Sequence, residues 1–215
     1  AWPDHGDEAE AELRRAAEAL RELGIAREEF EILDRAQELA RGDERPQLEE
    51  WALERKLEIV PDRYETWEEL AALHARTGRP PELVFQRLIE TFPDRAEPHI
   101  RFAQHIRRER GMRASIKYLD RKLEQGFDTA PLLAELARHQ SMLGRNRAAA
   151  DTVAKLRAEY PDSNEAAVMT AWGWLRAGRP DLAIEVLGEL EGAADDLQAQ
   201  RVLADAHALA GDASG

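Results

Sequence analysis

Apolar residues recur at intervals of three and four along the chain, within segments of about a dozen residues. Residues 66–77 and 131–143 show the pattern clearly. Their apolar positions are Trp67, Leu70, Ala71 and Leu73 in the first segment, and Leu132, Leu133, Leu136, Ala137 and Leu143 in the second. This spacing predicts amphipathic helices. Because a helix with one apolar stripe cannot bury that stripe alone, we expect the helices to pack together in a continuous stack.

Two kinds of residue that are typical of helix boundaries repeat along the chain with one shared period. Glycines stand at spacings of 33, 33, 34 and 33 residues, and aspartates at spacings of 32, 34, 34 and 34. The glycines are Gly78, Gly111, Gly144, Gly178 and Gly211, and the aspartates are Asp62, Asp94, Asp128, Asp162 and Asp196. Glycine suits the left-handed turn after a helix, whereas Asp after Pro suits the start of the next one. The shared period therefore predicts a repeated helix pair.

The residues within each period resemble the tetratricopeptide repeat family. The matching residues are Leu133, Leu136, Ala137, Gly144, Ala149 and Pro161 when counted from Ala130, and Trp67, Leu70, Ala71, His74 and Gly78 when counted from Tyr64. The resemblance covers roughly residues 26–211. It implies an all-α, right-handed superhelical solenoid of about five tetratricopeptide-like helix pairs plus terminal helices. Residues 83–121 also resemble half-a-tetratricopeptide repeats, a related family associated with RNA-processing scaffolds.

The repeat frame divides the chain into three predicted parts. Residues 1–25 are expected to form an N-terminal capping helix, and residues 26–195 the tetratricopeptide-like repeats. Residues 196–215 are expected to form a final capping helix and a disordered tail that begins at Gly211. The last helix is either a cap or the first half of a repeat that the chain does not complete.

Composition narrows the possible functions. The net charge of −13 argues against binding of nucleic acid or of an anionic membrane by the whole surface. The absence of Cys excludes disulfides and thiolate metal sites. No two histidines stand four residues apart, and the sequence has neither a nucleophile elbow nor a phosphate-binding loop. We therefore expect no metal, no cofactor and no enzymatic activity, and no apolar run is long enough to span a membrane.

The first residues bear on localisation. The sequence starts with Ala1 and Trp2, without Met and without an apolar leader. Removal of Met, cleavage of a signal peptide and a shortened chain all fit this start. Trp-Pro directly after a small residue favours a mature exported protein, periplasmic or otherwise, over a cytoplasmic one.

The resemblance also implies which residues line a binding groove. In this family the concave face is lined by fixed positions in the first helix of each pair. Here those positions include Arg101, His105, Arg108, Arg138, Trp172, Leu175 and Arg176. A cationic stretch that runs into an apolar one suits a partner segment with a carboxylate and a hydrophobic anchor. Trp174, in contrast, falls at a core position of the family and is expected to be buried between layers.

One segment reverses the negative charge of the chain. Residues 101–122 carry eight basic side chains against only Glu109 and Asp120. These cations either pair with carboxylates of the neighbouring repeats or form a docking surface for an acidic partner.

These patterns predict a protein–protein interaction scaffold that binds a segment of a protein or peptide partner, with acidic segments among the candidates, in its concave groove. The alternative is a permanent accessory or assembly subunit of a larger complex, which would use convex or end-repeat surfaces. A domain that accompanies an enzyme in a longer chain and an RNA-binding protein are further alternatives. The oligomeric state is left open.

Overall fold

The computed structural model describes residues 5–127, 129–190 and 195–212, and its regular secondary structure is entirely α-helical. The helices of these ranges are α1 (His5–Glu22), α2 (Ala26–Gly42), α3 (Pro46–Ile59), α4 (Tyr64–Arg76), α5 (Glu82–Thr91), α6 (Ala96–Arg110), α7 (Met112–Glu124), α8 (Ala130–Met142), α9 (Asn146–Glu159), α10 (Asn164–Arg176), α11 (Pro180–Gly188) and α12 (Leu197–Asp212). The predicted all-α class is confirmed. None of these helices combines the length and the hydrophobicity that crossing a bilayer requires.

Glycine ends the first helix of two successive pairs, as the sequence predicts. Gly144 follows α8 with a φ of +79°, and Gly178 follows α10 with a φ of +73°. After α8, the Arg145 amide donates to the Gln140 carbonyl at 2.8 Å, and the Gly144 amide donates to the Ser141 carbonyl at 2.9 Å. These two bonds form a Schellman motif, in which the left-handed residue is usually glycine because a Cβ would be strained there.

Gly78 makes the same left-handed turn after α4, with a φ of +74°. Three other members of the two series differ from the prediction or lie outside the described part of the chain. Gly111 joins α6 to α7 by itself, with a φ of 83° and a ψ of 170°, so it does not make the same turn. Gly211 lies inside α12, and the predicted disordered tail is therefore wrong for its first two residues. Glycine is tolerated in a last helical turn at a modest cost in propensity. Asp128, the tail from residue 213 onward and residues 1–4 of the predicted cap lie outside the described residues.

The chain divides into two compact units, residues 1–93 and residues 94–215. In the first unit, α1, α2 and α3 enclose a core of mostly small side chains. Its fully buried members are Ala17, Leu33, Ala36, Ala40, Leu48 and Ala52. Trp67 of α4 is buried as predicted, and its indole Nε1 donates to the Pro61 carbonyl at 2.8 Å. The predicted boundaries at residues 25 and 195 separate repeats rather than compact units, and they stay predictions.

Among the described residues of the second unit, three successive cores are each formed by one helix pair and the first helix of the next pair. Ile116 and Leu119 of α7 pack with α6 and α8. Leu156 of α9 packs with α8 and α10, and Leu187 of α11 packs with α10 and α12. Each helix thus buries its stripe mainly against its neighbours along the chain, which is the packing expected of helical repeats.

Candidate partner-binding surfaces

The first helices of the second unit form a shallow groove of about 430 Å³, which we call the first-helix groove. Its lining comes from α6, α8 and α10 and from the start of α12. The charged members of the lining are Glu97, Arg101, Glu135, Arg138, Glu165 and Asp196. Carboxylates therefore outnumber arginines by four to two, and the groove is not the cationic surface that the sequence predicts.

Both arginines of the first-helix groove are already paired. Arg101 Nε donates to Glu97 Oε1 at 2.6 Å, and Arg138 donates to Glu135 one helical turn away. Glu135 is buried, and it also lies 3.0 Å from Nε2 of His139. Burial raises the pKa of Glu135, but the hydrogen bond from His139 and the charge of Arg138 outweigh it and hold the pKa below its usual value. The two arginines that the sequence predicts to bind a partner's carboxylate are therefore paired with carboxylates of the groove itself.

The other predicted groove residues of α6 and α10 do not line the first-helix groove. His105 is only 7% exposed and stacks on the Phe102 ring, so it adds little to any open surface. Arg108 is exposed in the last turn of α6. Leu175 is half-buried and packs against the core that α10 shares with α11 and α12.

Trp172 and Arg176 line a different cavity, a cleft of about 510 Å³ between α8, α9 and α10 that we call the tryptophan cleft. Trp174 lines it as well. The α9 side of the cleft is made mostly of small side chains, namely Ala149, Ala150, Val153 and Ala154. A concave site of this size that is mainly apolar, with a few polar groups at its edge, is typical of binding sites for small groups.

The sequence predicts that Trp174 is buried between layers and that Trp172 lines the groove, and the structure differs for both rings. Trp174 is 37% exposed, so the expectation that it is buried between layers is wrong. Trp172 is half-buried and packs against the cores on both sides of α10. The physical reason is that Ala150 and Ala154 line the same cleft as Trp174 and are too small to cover its ring.

The charges of the tryptophan cleft all have one sign. Arg157 and Arg176 are the charged residues of its described lining, which includes no Asp or Glu. Arg176 Nη1 donates to Ser141 Oγ at 2.6 Å and to the Ser141 carbonyl at 3.1 Å. Arg157 is exposed and forms no ion pair with any residue that the structure describes. In a chain of net charge −13, such a cleft attracts anionic groups.

Sequence reasoning missed Arg157 and the small residues of α9. Their position on a second helix of a pair kept them out of a groove defined by first helices alone. A signal was present nonetheless, because the segment from Ala148 to Ala154 offers mostly alanine where a core-facing stripe usually has larger side chains.

Comparison with known proteins identifies the fold. No protein-family model and no curated protein sequence matches the chain. Solved structures do match it. The structure of yeast Tom70 gives a TM-score of 0.53 at 17% identity and covers 87% of this chain, which in turn spans only 44% of the Tom70 chain. A tetratricopeptide repeat protein from Parabacteroides merdae gives 0.52 at 14% identity, over 92% of this chain and 84% of that one.

A thermophilic tetratricopeptide repeat protein from Thermus thermophilus gives a TM-score of 0.50 at 21% identity, over 82% of this chain and 98% of that one. At these identities the likeness concerns the fold. The chain has the tetratricopeptide repeat fold, an all-α solenoid of repeated helix pairs, as the sequence predicts.

Proposed function

We propose that this protein is a non-catalytic scaffold that binds a segment of a partner protein in the tryptophan cleft. Tetratricopeptide repeat structures are its structural neighbours, and stacked helix pairs offer binding surfaces rather than a catalytic centre. The observation that carries the proposal is a cleft with two tryptophans, two arginines and no carboxylate among its described lining residues. The partner chemistry is the one predicted from the sequence, a hydrophobic anchor next to a carboxylate.

Each part of the cleft has a separate task in this proposal. The exposed ring of Trp174 and the alanines of α9 receive an aromatic or branched aliphatic side chain, because burying that side chain removes apolar surface from water. Arg157 at the edge pairs with a carboxylate on the same segment. Arg176 is held by Ser141 and by the Trp172 ring, so little conformational entropy is lost when it receives a second anionic contact.

The first-helix groove is a poorer site for such a segment. Its carboxylates outnumber its arginines, and both arginines are paired within the groove. An acidic segment would therefore meet repulsion from Glu165 and Asp196 rather than a free cation. The proposed contact therefore lies in the tryptophan cleft rather than in the first-helix groove.

Selection from a displayed random-peptide library tests the proposal. We expect selected peptides to share an aromatic or aliphatic residue and a nearby Asp or Glu. Trp174→Ala and Arg157→Glu should each weaken binding of a selected peptide by tenfold or more, about 1.4 kcal/mol. The matched control is Arg147→Glu, which makes the same charge change on an exposed residue of α9 outside the cleft lining.

Two results would count against the cleft. Equal loss in Arg157→Glu and Arg147→Glu would mean that only the overall charge matters. Normal binding by both cleft variants, combined with loss in the double variant Arg101→Gln and Arg138→Gln, would return the site to the first-helix groove. Indole N–H resonances of Trp172 and Trp174, assigned with single Trp→Phe variants, report the contact directly.

The alternative, a permanent subunit of a larger complex, is favoured by one observation on α12. Leu197 is 73% exposed and Leu209 is 49% exposed, both on the last helix of the described chain. Covering these two side chains would remove apolar surface from water, so each is a candidate contact for a permanent partner. Light scattering tests this function, because a permanent subunit that is isolated from its complex should self-associate. The double variant Leu197→Gln, Leu209→Gln should then be a monomer of 24.3 kDa.

A further inference from the structure

Three basic residues form a row along the exposed side of α7. Arg113, Lys117 and Arg121 are each exposed and stand four positions apart in one continuous helix. Residues at this spacing lie on one face of a helix, with about 6 Å of rise between neighbours. We call these three residues the α7 row.

The opposite side of α7 is fixed in the core. Ser115, Ile116 and Leu119 are buried, and Ser115 Oγ donates to the Ala103 carbonyl of α6 at 2.7 Å. Because α7 cannot rotate without exposing these residues, the row is held facing outward. Arg108, exposed at the end of α6, precedes Arg113 across the turn at Gly111 and adds a fourth cation.

These four cations form no ion pair with any residue in the described ranges of the chain. Most arginines of residues 1–93, in contrast, pair with carboxylates. There Arg41, Arg45, Arg55, Arg76, Arg79 and Arg87 all pair with carboxylates. The chain has 43 acidic against 30 basic residues, so carboxylates for pairing are abundant. Like charges four apart on a helix are mildly destabilising, which makes an unpaired row a cost to the fold.

The acidic residues near the α7 row do not neutralise it. Glu109 and Glu124 are exposed and form no ion pair with the described residues. Asp120 is half-buried, and burial together with the charge of Glu124 raises the pKa of its carboxyl, while Arg145 of α9 partly offsets both effects. The carboxyl of Asp120 is thus influenced mainly by groups other than the row.

We propose that the α7 row is a second docking surface, and that it binds an extended acidic segment of a partner protein. Alternate side chains of an extended chain lie about 6.6 Å apart on one side, close to the 6 Å rise along the row. A segment with Glu or Asp at every second position therefore places one carboxylate opposite each cation. This surface does not depend on the tryptophan cleft, because no residue of the row lines that cleft.

An acidic peptide fits the row better than a long polyanion does. The chain as a whole carries a net charge of −13, and such a charge disfavours binding of a long polyanion such as nucleic acid or of an anionic bilayer. A short segment responds mainly to charges within a Debye length, about 8 Å at physiological salt.

Fluorescence anisotropy with a labelled peptide of alternating Glu and Ser residues tests the inference. We expect binding that weakens as salt rises, and a loss of at least tenfold in the triple variant Arg113→Glu, Lys117→Glu, Arg121→Glu. The matched control is Arg35→Glu, Arg147→Glu, Arg201→Glu, which changes three exposed arginines elsewhere by the same total charge. Circular dichroism confirms that both variants remain helical.

The outcomes separate the possible occupants. Selective loss in the α7 variant, with weaker binding of a peptide whose Glu residues are contiguous, supports the proposal. Equal loss in both triple variants overturns it, as does absence of binding by the wild-type chain. Tighter binding of single-stranded DNA or of phosphatidylserine vesicles than of the peptide also overturns it. So does salt-sensitive self-association abolished by the α7 variant alone, which would identify a second copy of the chain as the occupant.

Discussion

The guanidinium of Arg176 lies over the ring of Trp172, with its central carbon 5.3 Å from the ring centroid. The same guanidinium donates to Ser141 on α8, so the Arg176 side chain links α10 to α8 and also contacts the Trp172 ring of its own helix. A cation on a tryptophan face is worth about 0.5–1 kcal/mol when partly exposed. Trp172 is therefore part of the framework of the cleft, whereas the ring of Trp174 is available to a ligand.

This arrangement predicts opposite effects for the two tryptophans. Trp172→Ala should lower the free energy of unfolding by about 3 kcal/mol, because the ring packs against two cores. Trp174→Ala should lower it by about 1 kcal/mol, because its ring is partly in water already. Urea unfolding followed by circular dichroism measures both values. A larger loss for Trp174 would place that ring in the core, as the sequence alone predicted.

At the left-handed turns, replacing glycine is expected to strain the backbone without causing a steric clash. Gly144 and Gly178 have positive φ, and a Cβ built at either would meet no atom within 4 Å. Replacing either by Val should lower the free energy of unfolding by about 1–3 kcal/mol through backbone strain alone. The control is Gly173→Ala within α10, where the Cβ also meets open space. That change should stabilise the protein by roughly 0.5–1 kcal/mol in thermal unfolding, and similar behaviour at all three sites would contradict the turn assignment.

His99 predicts a loss of stability in mildly acidic solution. Its Nδ1 lies 2.7 Å from the Tyr118 hydroxyl, and its ring centroid is 4.5 Å from that of Phe127. Burial, with a contribution from the charge of Lys122, lowers the pKa of His99 from 6.5 to about 4. Burial also raises the pKa of Tyr118 well above its usual value, so the phenol stays protonated.

The sign of the effect follows from proton uptake. Below pH 6.5 the unfolded chain protonates this histidine, while the folded chain does not until pH falls to about 4. Stability contributed above pH 6.5 is therefore lost as pH decreases, by about 2 kcal/mol at pH 5. Urea unfolding across this range should show a smaller slope in His99→Gln. His207→Gln, at an exposed position, should leave the slope unchanged.

The buried hydroxyl of Ser115 is expected to stabilise the folded protein through its hydrogen bonds. Ser115 Oγ lies 3.1 Å from Nδ1 of His139, in addition to its bond to Ala103, and the side chain has no exposure to solvent. Ser115→Ala leaves a buried ring nitrogen without this partner and should cost about 1–3 kcal/mol. Ser163→Ala, which removes the cap of α10, should cost about 1 kcal/mol and serves as a comparison in thermal unfolding. Equal melting temperatures for Ser115→Ala and the wild type would contradict the role assigned to this hydroxyl.

Much of the fold was predictable because its determinants are local. The period of the glycines and the apolar stripes of residues 66–77 and 131–143 define helix pairs without reference to distant residues. One feature of the first-helix groove was also local and was missed. Glu97 and Arg101 stand four apart, and Glu135 and Arg138 three apart, which are the spacings at which helical side chains pair. These spacings alone predict that the two arginines are neutralised.

The sequence by itself determined the all-α class, the turns at Gly144 and Gly178 and the unusual charge of residues 101–122, because each depends on neighbours a few positions away. Only the tertiary structure decided that Trp174 faces a cleft while Trp172 packs into two cores. It alone also joined Arg176 to Ser141, 35 positions earlier in the chain. Burial and hydrogen bonding of this kind depend on the size and position of side chains one repeat away. Helical periodicity relates only residues a few positions apart, so it does not predict these contacts.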